Sequence, residues 1–283
     1  MPRAVQDILT ARPSDPAVVM GILNVTPDSF SDGGKYLDPQ SASAQAMQMI
    51  DSGAEIIDIG AESTRPGSDP VPPDEQIRRI EQVIPAIART GAVVSIDTTN
   101  SAVAARAIEW GATIINDVSA GRDDPEILSL AAESRAGLVL MHMLGQPRNM
   151  QANPQYDDVL GEVKAFLSER IEAACAAGVA ASRIVIDPGI GFGKKLEHNL
   201  ALLGGVSGLA DLGCAILIGP SRKRFIGDLG GSVRAEDRIG GTIAACLAAR
   251  RGGATIFRVH DAAPAVEALR VYDAVISNAA HNS

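Results

Sequence analysis

With 283 residues, 46% hydrophobic side chains and a net charge of −9, the chain can bury one large core, and its acidic balance argues against nucleic acid, which demands a basic face. No Pro/Gly/Ser-rich linker divides it, so a single domain is expected over residues 18–278, with 1–17 as an N-terminal extension and 279–283 as a tail. Residues 1–16 hold no apolar signal core and no apolar run reaches membrane-spanning length, so neither secretion nor insertion is indicated and a cytoplasmic location is expected.

In chain order, the first apolar run (18–25) breaks off into Asn24-Val25-Thr26-Pro27-Asp28-Ser29-Phe30-Ser31-Asp32-Gly33-Gly34. A buried strand that ends so polar usually ends in a site. A helix follows over 40–52, then a strand over 56–62 running into Ser63-Thr64-Arg65, and a helix over 74–89. There Ile77, Ile80, Ile84 and Ile87 recur at helical spacing, with Asp74 as the expected N-cap. Strands over 93–98, 113–118, 138–143, 184–190, 215–221 and 255–260 alternate with helices over 101–110, 125–133, 157–177, 196–210, 235–251 and 264–277. Eight repeats of strand and helix predict a closed (β/α)8 TIM barrel in the α/β class, although an open doubly wound sheet shares the periodicity. Cys175, Cys214 and Cys246 are odd in number and far apart, and read as reduced, buried residues with no zinc or disulfide role.

In a barrel the functional groups gather at the C-terminal strand ends. Those ends carry Asn24, Glu62 to Arg65, Asp97, Asn116-Asp117, His142, Asp187, Ser221-Arg222-Lys223, and Arg258 with His260. Each alone has a plainer reading: Asp97 could cap a helix, Asn116 could satisfy a loop, Asp187-Pro188-Gly189 could be a turn, and the basic run could be a solvated surface. Together the acceptors Asp97 and Asp187, the two-way Asn116 and the donor Lys223 match a planar heterocycle rich in N–H groups. Arg258 can stack on such a ring, with Phe192 and Met141 as walls. Thr64, Arg65, Ser221, Arg222 and His260 are donors for phosphate or carboxylate oxygens, Ser221 being placed to cap the next helical turn. Asn24 could offer its amide oxygen to a hydrated Mg2+.

These stretches resemble the signatures of the dihydropteroate synthase family. Residues 21–34, Asp58-Ile59-Gly60-Ala61-Glu62-Ser63-Thr64-Arg65-Pro66-Gly67, Ser95-Ile96-Asp97-Thr98, Ile115-Asn116-Asp117-Val118 and Met141-His142-Met143 come in the family's order. Residues 187–194, Ser221-Arg222-Lys223 and Arg258-Val259-His260-Asp261 continue it. The resemblance covers residues 18–275. It implies an enzyme in which 4-aminobenzoate displaces diphosphate from 6-hydroxymethyl-7,8-dihydropterin diphosphate, giving 7,8-dihydropteroate for folate synthesis.

Carried across by motif, the resemblance implies that Asp97, Asn116, Asp187 and Lys223 hold the pterin edge. Arg258 would stack on its ring, with Met141 and Phe192 close by. Asn24 is implied as the Mg2+ ligand, and Arg65, Arg258 and His260 as diphosphate contacts. Thr64, Pro66, Phe192, Ser221 and Phe30 are implied for the aminobenzoate pocket, and Lys223, Arg258, His260 and Arg65 as the catalytic set. The resemblance further implies a homodimer through helices away from the site, and competition by sulfonamides, since the pattern shows no insertion after Phe192. Residues 26–39 and 64–73 are candidate lids. Leu144-Gly145-Gln146-Pro147 departs from the family's Gln-Gly-Thr-Pro, which puts polar contacts from the fifth loop in doubt. Three alternatives stay open: a corrinoid-dependent pterin methyltransferase, a Schiff-base aldolase using Lys223, and a catalytically silent pterin-binding barrel.

Overall fold

The computed structural model describes residues 3–26, 39–62, 70–146, 148–232 and 234–281. Most of both candidate lids, and with them Phe30, Thr64, Arg65 and Pro66, lie outside the described residues. In chain order the elements are α1 (Val5–Leu9), β1 (Val18–Asn24), α2 (Pro39–Asp51), β2 (Ile56–Gly60), α3 (Pro73–Ile80), α4 (Val83–Ala88), β3 (Val93–Asp97), α5 (Ser101–Glu109) and β4 (Ile114–Asp117). There follow α6 (Glu126–Ser134), β5 (Gly137–Met141), α7 (Val159–Ala176), β6 (Ile184–Asp187), α8 (Leu196–Gly204), β7 (Ala215–Ile218), α9 (Arg224–Gly230), α10 (Ile239–Arg251), β8 (Ile256–Val259) and α11 (Ala262–His281).

All eight strand pairs are parallel, and β8 pairs with β1 through Val18↔Ile256 to Gly21↔Val259, which closes the barrel and removes the open-sheet alternative. The strands read as unbroken apolar runs because one face meets the helices and the other fills the lumen. Between strands and helices, Ile57, Ile59, Val94, Ile96, Ile115, Leu138 and Leu140 pack against helical residues such as Ile80, Ile84, Val103 and Leu167. Inside the barrel, Val18, Met20, Ile56, Val93, Ile114, Val139, Val185, Leu217 and Ile256 form a second apolar cluster with Ile8 and Leu9 of α1. That short helix therefore plugs the N-terminal mouth. The opposite mouth is left for polar groups.

The structure departs from the expected helices in ways that local chemistry explains. The 74–89 helix is two helices, α3 and α4, broken at Glu81 and Gln82. Pro85 has no N–H for the Glu81 carbonyl and its ring crowds that carbonyl, so the helix cannot run through. Asp74 is not the N-cap: Pro72 occupies that position and Asp74 lies in the first turn. The expected 196–210 helix ends at Gly204, and a 3-10 turn over Val206–Leu212 completes it. The expected 235–251 helix likewise begins with a 3-10 turn over Ala235–Arg238. Asn100, whose side chain accepts from Val103 N at 3.1 Å, caps α5, so Asp97 is not spent on capping. Of the cysteines only Cys246 is buried; Cys175 is exposed and Cys214 half-buried.

Candidate active site

Strand register sets one row of site positions level with one another: Asn24 is opposite Gly60, Gly60 opposite Asp97, and Asp97 opposite Asn116. Met141 faces Asp187 in the same way on β5 and β6. A Cβ on Gly60 would stand 3.6 Å from Asn24 Oδ1 and 3.7 Å from the Asp97 Cβ, so a glycine here leaves the space between amide and carboxylate open.

Two residues below Gly60, Asp58 lies inside the lumen with no exposure. Its Oδ2 accepts from Arg258 Nε at 2.6 Å and from Asn116 Nδ2 at 3.0 Å. Arg258 Nη2 donates to Asp97 Oδ2 at 2.5 Å. One guanidinium thus spans two buried carboxylates, and burial alone would lower its pKa; Asp58 and Asp97 together raise it instead, so it stays charged. Desolvation pushes the Asp97 carboxyl up to about 7 against the pull of Arg258. Burial pushes Asp187 up to about 6, opposed by the Gly189 N–H and by Lys223, Arg258 and Lys194. Among the described residues Asp58 Oδ1, Ser95 Oγ and Asp97 Oδ1 are buried without a hydrogen-bond partner. Each such atom costs about 1–3 kcal/mol until a donor reaches it.

Above this layer a pocket is lined by Asn116, Val118, Met141, Asp187, Ile190, Phe192, Gly219, Lys223 and Arg258. Its apolar wall includes Val118, Met141 and Phe192, which pack in one cluster with Met143 and Met150. Lys223 Nζ stands 4.0 Å from the centre of the Phe192 ring. The lysine stem runs so close to Gly191 that a Cβ there would meet Lys223 Cδ at 2.9 Å, and Gly191 has φ +81, where side chains strain.

The basic run divides its labour. Arg222 pairs with Asp261 through two bonds, Nε to Oδ2 at 3.0 Å and Nη2 to Oδ1 at 2.6 Å, so the sequence reading of it as an anion donor gives way to a structural one. Arg224 is in solvent beside Asp228. Of the three, Lys223 lines the pocket. Ser221 does not cap α9, whose N-cap is Lys223; its Oγ lies 3.0 Å from His260 Nδ1 and accepts from His260 N at 3.1 Å. That pairing links the ends of β7 and β8. Asp117, also at a strand end, is consumed locally: it accepts from Ser119 N and Gly121 N and shapes a turn. His142 is likewise turned inward, with Lys194 Nζ at 3.0 Å from its Nδ1.

The expected residues Asn116, Met141, Asp187, Phe192, Lys223 and Arg258 are therefore gathered around one pocket. Asp97 joins through Arg258, Asn24 stands on the level row, and Ser221 with His260 flank it. Sequence reasoning gave no role to Asp58, which binds both Arg258 and Asn116. A carboxylate between Ile57 and Ile59 in a buried strand was the signal. In the fifth loop, the Leu144 carbonyl lies so close to Gly193 that a Cβ there would meet it at 2.6 Å.

Residues 20–260 match the family described as pterin binding enzyme. A dihydropteroate synthase of Neisseria meningitidis serogroup B is 46% identical over 266 residues, covering 92% of this chain and 93% of that one. The solved structure of Xanthomonas albilineans dihydropteroate synthase with 4-aminobenzoic acid superposes with a TM-score of 0.87 at 45% identity, covering 93% of this chain and 94% of that one. The Yersinia pestis dihydropteroate synthase in a sulfonamide drug complex matches with a TM-score of 0.87 at 42% identity, covering 93% and 95%.

Proposed function

The chain belongs to the dihydropteroate synthases of the pterin binding enzyme family, and on that premise we propose how its residues perform the reaction. It is a transferase that joins 6-hydroxymethyl-7,8-dihydropterin diphosphate to 4-aminobenzoate. The observation that carries the residue assignment is the partnerless Asp97 Oδ1 beside a pocket lined by Asn116, Asp187 and Lys223. Buried acceptors that lack donors suit the N–H groups along a pterin edge, and Lys223 suits its carbonyl. Arg258 spends Nε and Nη2 in the plane of its guanidinium, on Asp58 and Asp97, which leaves the flat face for stacking on the ring.

With the ring so held, the amine nitrogen attacks the exocyclic methylene carbon, the carbon–oxygen bond breaks, and diphosphate leaves with the electron pair. The ammonium proton so generated passes to water or to the diphosphate. An aryl amine is already neutral, so no strong base is needed. His260 and Arg258 act on the anionic leaving group, joined by Arg65, whose position lies outside the described residues. Ser221, its hydroxyl poised by His260, serves the aminobenzoate carboxylate, with Phe192 as a wall and Phe30, Thr64 and Pro66 completing that pocket.

A Mg2+ ion fits as a companion of diphosphate. Among the described residues no group of three His, Cys, Asp or Glu could hold a metal by itself. Asn24 would offer one amide oxygen across the space that Gly60 leaves, and a hard cation accepts few protein ligands when substrate phosphates supply the rest. Bound there, such an ion would supply charge neutralisation for the departing diphosphate.

Sulfonamides are expected to compete for the aminobenzoate pocket. Exposed Val271, Val275 and Ile276 on α11 support a homodimer through the outer helices. Among the described residues no helix is long and apolar enough to cross a membrane. The methyltransferase and aldolase alternatives give way to a synthase on relatives that match nine-tenths of both chains. The test is incubation with pterin diphosphate, 4-aminobenzoate and Mg2+, following dihydropteroate and diphosphate together. Equal formation of both, lost without aminobenzoate, is expected. Tight pterin diphosphate binding without turnover would establish the silent homologue instead.

A further inference from the structure

The mechanism above leaves one buried pair of titratable groups unused. Lys194 and His142 are 3% and 5% exposed, and they lie directly behind the pocket wall. The Lys194 ammonium has three donors and three neighbouring acceptors: His142 Nδ1 at 3.0 Å, the Phe192 carbonyl at 3.0 Å and the His142 carbonyl at 3.4 Å. Burial and the neighbouring Lys194 and Arg122 hold the imidazole well below its ordinary range, at about 3, so the ring is neutral; facing the donors of the Lys194 ammonium, its Nδ1 takes the acceptor role, which assigns the ring hydrogen to Nε2. Phe166 packs edge-on to that ring at 4.9 Å and Tyr156 lies tilted at 6.0 Å.

The backbone around this pair is bonded to both ends of the pocket wall. His142 N donates to the Asp187 carbonyl at 2.9 Å, and Gly189 N donates to Asp187 Oδ1 at 2.7 Å. Gly189, at φ +69, is so close that a Cβ there would collide with the His142 carbonyl. Tyr156 OH donates to the Gly193 carbonyl at 2.9 Å. The loop from Asp187 to Lys194 thus turns back on the end of β5, and the lysine closes it.

We propose that Lys194 and His142 form a positioning pair that fixes the Asp187 carboxylate and the Phe192 ring against the pterin, Lys194 acting through the Phe192 carbonyl and through the His142 ring, whose main-chain N–H holds the Asp187 carbonyl. This rests on the reading of Asp187 as a pterin acceptor. The groups facing Asp187 are Lys194 on its own loop, Lys223 after β7 and Arg258 on β8, each favouring the ionised carboxylate. Lys194 itself faces Asp187 and Lys223, and burial brings it down to about 7.

The test measures binding of 6-hydroxymethyl-7,8-dihydropterin diphosphate by calorimetry between pH 5 and 9, with thermal midpoints, for K194M, H142N, H142L and D187N. K194M is expected to weaken binding on the order of tenfold or more and to move the acidic limb upward, because a positive charge near Asp187 is gone. H142N puts its amide oxygen where Nδ1 stood and is expected within about threefold of the parent, while H142L follows K194M. Unchanged affinity and an unshifted limb in K194M, with only a lower midpoint, would overturn the pair. If K194M does not fold, the histidine variants decide: equal affinity in H142N and H142L rejects it. D187N binding as tightly as the parent brings down the Asp187 reading itself, whereas weak D187N with intact K194M rejects the positioning pair alone.

Discussion

Asp58 and Arg258 meet inside the barrel at 2.6 Å, a carboxylate with no solvent exposure holding a guanidinium that reaches on to Asp97. Removing one partner of such a pair leaves the other charge buried and uncompensated. R258A is expected to lower turnover on the order of 10² or more. D58N keeps the shape and an acceptor oxygen but surrenders the charge, and should weaken pterin diphosphate binding about tenfold because Arg258 loses one of its two anionic partners. Steady-state kinetics and calorimetry on both variants check this; wild-type values in D58N would remove Asp58 from the site.

The two raised carboxylates make the ligand-free fold sensitive to pH. Asp97 near 7 and Asp187 near 6 hold protons more tightly than the unfolded chain, where such groups titrate near 3.8. Their contribution to stability is fully present below about pH 4 and is lost as pH rises through 6 to 7. Pterin binding runs the other way, since the ionised carboxylates accept the ring's N–H groups. Thermal midpoints from pH 4 to 8 should fall less in D97N than in the parent. An identical slope in both would show that Asp97 does not titrate in that window.

Gly191 is expected to resist even the smallest side chain. Its positive φ costs an L-residue about 1–2 kcal/mol, and a Cβ would press on the Lys223 stem at 2.9 Å. G191A should therefore lose affinity for pterin diphosphate along with stability, whereas alanine at Gly213, also at positive φ but with nothing within 4 Å, should lose stability alone. Calorimetry on the two variants separates displacement of Lys223 from backbone strain.

At the far end of the barrel, Leu9 is 2% exposed and packs so closely on β5 that a Cβ on Gly137 would meet its methyls at 2.8 Å. L9A should cost about 2–5 kcal/mol by opening a cavity. Chemical denaturation gives that number. KM for both substrates should stay at the parent value, since α1 lies at the mouth opposite the pocket.

Sulfonamides should raise the apparent KM for 4-aminobenzoate without changing kcat. Inhibition-pattern kinetics at fixed pterin diphosphate would expose a noncompetitive mode, which is incompatible with a shared pocket.

The eightfold alternation, the polar strand ends and the family signatures are all local, and each was legible in the chain, because strand ends and turn residues carry their chemistry within a few neighbours. Asn116, Asp187, Lys223 and Arg258 could be named from their places after apolar runs. Asp58 could not be given a role, since its worth depends on Arg258, 200 positions away in the chain. The same holds for Lys194 with His142 and for Arg222 with Asp261, where a charge that looks available to a ligand is already engaged by the fold. Local sequence determined which residues reach the mouth of a (β/α)8 barrel and what they can donate or accept. Tertiary structure alone decided closure, through β8 against β1, and which of those groups remain for substrate, because hydrogen bonds between distant strands depend on register and burial that no short stretch encodes.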